Sequence, residues 1–181
     1  SDFAHIFYSV FLCNFVTRFR IAMHGQFKAI TISYKNAPLD IREQIALNED
    51  ECKALMVKLQ EVLGVAESLV LSTCNRTEIY YTSDTDLSAE IIKVLAVQKA
   101  ISSATIAPYF TRYTNQDDAV RYLFEVSLGL HSQVIGDLQI PNQIKNAYQW
   151  SADINMSGPF MHRLLHSVFF TNKRVVQETA F

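Results

Sequence analysis

Apolar and polar positions alternate between Lys28 and Tyr34, with Ile30, Ile32 and Tyr34 separated by Thr31 and Ser33, which predicts a first strand. The turn-forming run Lys35-Asn36-Ala37-Pro38 ends it. Cys52, Leu55, Leu59, Val62 and Leu63 then fall on one helical stripe, after Asn48 as N-cap with Glu51 three residues on, and Gly64 stands where that helix must stop. Val65 to Leu71 and Thr77 to Thr82 are two further apolar β-type runs, expected to pair antiparallel because a short turn joins them. Leu87, Ile91, Ile92 and Leu95 recur at helical spacing from a start capped near Asp84 or Asp86, and Ala107 to Tyr113 reads as a fourth strand. The order β-α-β-β-α-β predicts an α+β, ferredoxin-like antiparallel sheet with both helices on one face.

Beyond this point the period is helical throughout. Val120, Leu123 and Phe124, then Ile144, Ala147 and Tyr148, then Met161, Leu164, Leu165, Val168 and Phe169 form three stripes, with loops near Gly136 and at Ser157-Gly158-Pro159. A small helical subdomain follows the sheet. The expected division is an N-terminal extension over 1–25, a ferredoxin-like subdomain over 26–114 and a helical subdomain over 115–181.

Composition changes this picture little but narrows the functions. With 49% hydrophobic and 19% charged residues among 181, the chain can bury a substantial core. A net charge of −2 provides no global positive field for nucleic acid, so any such contact must be local. Arg18, Arg20, Arg163, Lys173 and Arg174 are the nearest approach to basic patches. The apolar run from Ile6 to Val16 is well short of the ~20 residues that span a bilayer, and its positive charges follow rather than precede it, unlike a secretory signal. No membrane association is expected. The three cysteines, Cys13, Cys52 and Cys74, show no CxxC or His/Cys ligand spacing, which argues against a disulfide framework or a metal site and for a reducing cytoplasm.

Cys52 belongs to a helical apolar stripe and reads as core. Cys74 keeps different company. Ser72-Thr73-Cys74-Asn75-Arg76-Thr77-Glu78 lies between two apolar strands, and nothing in packing calls for that polar cluster. A thiol ionises near pH ~8.5 unperturbed, and a guanidinium two residues away is expected to favour the nucleophilic thiolate. Thr73 and Asn75 add groups that can hold a polar substrate. His162 and His166 lie one helical turn apart without an evident third ligand, and read as ordinary helix residues.

The run Leu71-Ser72-Thr73-Cys74-Asn75-Arg76-Thr77-Glu78-Ile79-Tyr80 closely resembles the signature of glutamyl-tRNA reductases. The resemblance extends to Ile32 through Pro38 with Ile41-Arg42-Glu43, similar to that family's opening strand and loop. It continues in Gly129 through Ser132, Ile135 through Ile140 and Gln143-Ile144-Lys145, and in Lys173 through Thr179, similar to its connector to a following domain. Because the likeness begins just after Met23, Met23 is the expected natural start. The resemblance implies attack by the Cys74 thiolate on the ester of glutamyl-tRNA, giving an enzyme thioester that NADPH reduces to glutamate-1-semialdehyde for tetrapyrrole (heme) synthesis. In that reading Arg76 grips the γ-carboxylate, Thr73 and Asn75 line the pocket, and Ser132, Asp137, Leu138, Gln139 and Gln143 contact the glutamyl group and the tRNA acceptor end. Helix capping is the competing account of Asp137 and Gln139.

The chain departs from the family pattern at several places. Asp137, Leu138 and Asn142 stand where Glu, Pro and Gly are usual, and Thr114 stands at the place of a family histidine. General-base help from that imidazole is therefore absent. His131, replacing the usual Asp beside Ser132, is an alternative base. No GxGxxG fingerprint occurs among the five glycines, so the NADPH domain, and the later helices through which the family is expected to form homodimers, are expected to be missing from this fragment. Two other readings compete: a non-catalytic module binding charged tRNA or a regulatory protein, and a stand-alone thioesterase.

Overall fold

The computed structural model describes residues 26–134, 137 and 139–179, the side chains of 178 and 179 excepted. The extension over 1–25, with Cys13, Arg18, Arg20 and Met23, lies outside the described residues, as do Ile135, Gly136 and Leu138.

Four strands form one sheet in the order β2-β3-β1-β4: β1 (Gln26–Ser33), β2 (Ser68–Thr73), β3 (Arg76–Ser83) and β4 (Thr111–Tyr113). Every pairing is antiparallel, with Ser33 opposite Arg76, Gln26 opposite Ser83, Thr73 opposite Arg76 and Ala29 opposite Tyr113. The ferredoxin-like expectation holds. Two helices cover one face, α2 (Glu49–Leu63) and α3 (Ser88–Gln98), with a short α1 (Leu39–Ile45) ahead of them. Ile30, Ile32, Val70, Ile79 and Tyr81 point into that layer and meet Cys52, Leu55, Leu59, Ile91 and Leu95.

The local signals at α2 are realised as predicted. Asn48 accepts the Glu51 N–H, Glu51 reaches back to the Asn48 N–H, and Gly64 closes the helix at φ +68°. Elsewhere the boundaries shift. Residues 107–109 form a 3₁₀ turn after the short α4 (Ser103–Ile106), leaving β4 only three residues, because Pro108 lacks a ladder donor. The segment around Ile41-Arg42-Glu43, read as strand and loop, is helical, with Ile41 and Ile45 buried one turn apart.

The opposite face of the sheet is also covered. Phe27, Ala29, Leu69, Leu71 and Tyr80 pack under α5 (Gln116–Ser127), α6 (Gln139–Asp153) and α7 (Pro159–Thr179). Asn115 caps α5 by accepting the Asp117 and Asp118 N–H groups. Ser151 on α6 donates to the Ser68 carbonyl, tying the C-terminal end of that helix to the start of β2. Glu67 accepts the Met161 N–H at the first turn of α7, and a β-carbon on Gly158 would lie 2.7 Å from that carboxylate. No single helix among the described residues is long and apolar enough to cross a membrane.

Candidate active site

The tip of the β2–β3 hairpin carries Cys74, which is exposed, whereas Cys52 is fully buried in the α2 layer. Burial, then Glu51 and Glu49, pushes the Cys52 thiol up to about 12, so it is inert at neutral pH. Three contacts shape the tip. Tyr34 donates its N–H to the Asn75 carbonyl at 2.9 Å, Asn75 donates its own to Thr73 Oγ1 at 3.2 Å, and Arg42 Nη1 donates to the Cys74 carbonyl at 2.7 Å. Ser72 Oγ accepts the Leu47 N–H one row back from the tip. Thr73 and Asn75 therefore flank Cys74 at the tip.

Arg76 is buried rather than exposed at the tip. Strand alternation turns it away from the tip and under α5, where its side chain is 1% exposed. Nη1 meets Glu78 Oε1 at 3.0 Å and Nη2 donates to the His131 carbonyl. Glu78, 0% exposed, also accepts from Tyr80 at 2.6 Å and Tyr122 at 3.1 Å. Burial opposes the charge of Arg76, but Glu78 together with Tyr122 and Tyr80 more than offsets it, and the guanidinium's pKa is raised. Burial first, then Glu78, holds Tyr80 and Tyr122 protonated far above neutrality. The cation that contacts Cys74, through its backbone carbonyl, is Arg42, which the sequence reading missed, since nothing in the spacing of Arg42 and Cys74 brings them together.

Part of the second group of residues converges on the same end of the sheet. The His131 carbonyl lies on Arg76 and Lys35 Nζ lies 3.2 Å from His131 Nδ1, so the turn holding Ser132 abuts the β1 end of the hairpin. Gln143 lies eight residues before Ser151, or ~12 Å back along α6. That span corresponds to about three to four strand residues at ~3.4 Å each, so Gln143 lies near the middle of β2 and short of Cys74. Arg76 Nε, Ser132 Oγ and Gln143 Oε1 are all buried without a hydrogen-bond partner among the described residues. Unpaired buried polar atoms are costly, and Arg76 Nε and Ser132 Oγ, which the His131 carbonyl brings to one end of the sheet, suit a polar ligand.

Other expectations resolve differently. Asp137 Oδ1 accepts the Gln139 N–H at 2.9 Å, a capping contact at the start of α6, and Gln139 is exposed. Leu138 lies outside the described residues. Thr114 is exposed and follows Tyr113, which pairs with Ala29, four β1 positions from the Ser33–Arg76 row. That is ~13 Å along the strand from the hairpin end, so the backbone itself sets Thr114 apart from Cys74. His131 is engaged at both ring nitrogens. Lys35 can only donate, so Nδ1 accepts, and the hydrogen on Nε2 is shared with Glu125 at 2.6 Å. His162 bonds Tyr148 and packs on His166, and no cluster of metal-ligating side chains occurs among the described residues.

The comparisons with known proteins agree with this architecture. The family described as the N-terminal domain of glutamyl-tRNA(Glu) reductase matches residues 30–179. A glutamyl-tRNA reductase of Cytophaga hutchinsonii is 60% identical over 160 residues, covering 88% of this chain and 38% of that protein. One of Marinobacter nauticus is 35% identical over 150 residues, covering 82% and 34%. The solved glutamyl-tRNA reductase of Methanopyrus kandleri shares the fold at a TM-score of 0.72 and 23% identity, over 87% of this chain and 36% of its own. The chain thus spans a little over a third of the curated relatives it matches. A match over this length, on a chain whose hairpin carries an exposed cysteine at its tip, places it in the glutamyl-tRNA reductase family, within its N-terminal domain.

Proposed function

We propose that this chain is the catalytic, glutamyl-tRNA-binding domain of a glutamyl-tRNA reductase, acting through Cys74. The observation that carries the reading is an exposed thiol at a clamped hairpin tip, with Arg76 Nε and Ser132 Oγ at the same end of the sheet buried without a hydrogen-bond partner among the described residues. The Cys74 thiolate adds to the ester carbonyl carbon of glutamyl-tRNA. The S–C bond forms, the C–O bond to the terminal ribose breaks, and the departing ribose oxygen takes a proton. Ser132 Oγ and Gln143 Oε1 bind the polar atoms of the glutamyl group. Arg76 supplies Nε–H to its carboxylate while Glu78 keeps the guanidinium charged and fixed.

The family's oxidoreductase role in porphyrin biosynthesis implies that NADPH reduces such a thioester to glutamate-1-semialdehyde. The described residues do not fit that cofactor: the sheet is antiparallel throughout, and no glycine-rich turn leads from a strand into a helix N-terminus. No reduction step is assigned to these residues. Nicotinamide binding, and homodimer formation, belong in this reading to the part of the relatives that the chain does not span, and the setting is the cytoplasm.

An intact mass spectrum after mixing with glutamyl-tRNA is expected to show one added glutamyl group, released by hydroxylamine and absent in Cys74→Ser. Binding of glutamyl-tRNA with no adduct would instead support a non-catalytic module. That alternative draws on Thr114 at the place of the family histidine and on the commitment of Arg76 to Glu78.

A further inference from the structure

The geometry points to Arg42 as the positioning residue of the Cys74 hairpin and as the cation that selects negatively charged electrophiles there. This rests on the reading of Cys74 as the nucleophile. Arg42 lies on α1, whose Ile41 and Ile45 are anchored in the core, so its own backbone is fixed. Its Nε donates to the Ala37 carbonyl at 3.2 Å, which orients the guanidinium plane. Nη1 then donates to the Cys74 carbonyl at 2.7 Å and reaches Asn75 Oδ1 at 3.5 Å.

Together with the Tyr34 to Asn75 bond, this holds the tip from both sides. A hairpin tip without such a clamp would swing its thiol through several orientations. Arg42 also differs from Arg76 in its company. No carboxylate among the described residues lies within ion-pair distance of it, whereas Arg76 is neutralised by Glu78. The Cys74 sulfur and the carbonyl that Arg42 grips belong to one residue, so the guanidinium stands within the ~8 Å Debye length of the thiol. Its field is felt by whatever approaches the sulfur, and it favours an acyl donor that carries a carboxylate or a phosphate over a neutral one.

The test uses the 181-residue chain and two small alkylating reagents that differ in charge, iodoacetate and iodoacetamide. Each forms an S–C bond and expels iodide. The rate at Cys74 is followed by peptide mass, and the iodoacetate-to-iodoacetamide ratio is normalised to that of a short cysteine peptide. The expected ratio is about three- to ten-fold above the peptide, falling with added salt. Arg42→Gln should bring it to the peptide value. Arg42→Lys, which keeps the charge but not the fixed fork, should retain most of the ratio while slowing acylation by glutamyl-tRNA. A ratio unchanged in Arg42→Gln overturns the proposal. So does an equal fall in both variants, which would mark a purely structural clamp. A wild-type Cys74 that neither alkylates nor acylates overturns the nucleophile reading itself, and is distinguishable from both because no ratio is then measurable.

Discussion

Glu78 joins more of the molecule than any other single side chain at the site, since one buried carboxylate accepts from Arg76, Tyr80 and Tyr122. Removing one partner of such a pair strands the other's charge, at a cost of ~3–5 kcal/mol. Glu78→Ala is therefore expected to lower the melting temperature by roughly 10 °C, at ~2–4 °C per kcal/mol for a chain of this size. Scanning calorimetry or thermal circular dichroism checks it. The double replacement Arg76→Met with Glu78→Leu should recover part of that loss while abolishing acylation. The cysteines separate at the same scale. With the Cys52 thiol held near 12, only about one part in ten thousand is thiolate at pH 8, so iodoacetamide should label Cys74 while leaving Cys52 intact in the folded chain. Equal labelling of Cys52 and Cys74 would contradict the burial described here.

At the scale of elements, α2 is stabilised by its ends as well as its apolar stripe. Asn48→Ala removes the side-chain half of the capping box and is expected to cost about 1 kcal/mol. Gly64→Ala meets no atom within 4 Å, so its cost, also about 1 kcal/mol, comes from the left-handed backbone at φ +68° alone. The cap is pH-sensitive in a definite direction. Lys99 first, and the Asn48 N–H second, hold the Glu51 carboxyl below its ordinary value. A depressed folded pKa means that this contribution is present at neutral pH and lost as pH falls through the folded value. Urea titrations of wild type and Glu51→Gln at pH 7 and pH 3 check this: the difference between them should shrink at the lower pH.

For the whole molecule, the sheet has no solvent face. Phe27, Leu69, Leu71 and Tyr80 are buried only because α5, α6 and α7 lie on them. A chain cut after Thr114 would expose that surface, together with the Glu78 network. It is expected to bind 8-anilinonaphthalene-1-sulfonate and to self-associate, as read by fluorescence and sedimentation, rather than to persist as a monomeric plait. The division into a sheet subdomain and a helical subdomain thus describes chain order, while the two share one core across the sheet. The site depends on the same sharing, because the turn holding Ser132 reaches Arg76 only through the packing of α5.

What the residues determined alone were the features set by short-range physics. The strand alternation, the α2 cap and its glycine stop, the antiparallel β2–β3 pair, and the polar cysteine turn between apolar strands follow from side-chain period, local hydrogen bonding and backbone freedom, all within a few residues. Tertiary structure decided what depends on direction and distance. Arg76, two residues from Cys74, went to the opposite environment because alternation aims it under α5, whereas Arg42, 32 residues away, arrived at the cysteine because α1 folds back against the hairpin. Thr114 was carried ~13 Å along the sheet by the β1–β4 register. Proximity in sequence fixes neighbours along the backbone, but which groups face one another across space is settled by which apolar faces must be buried together.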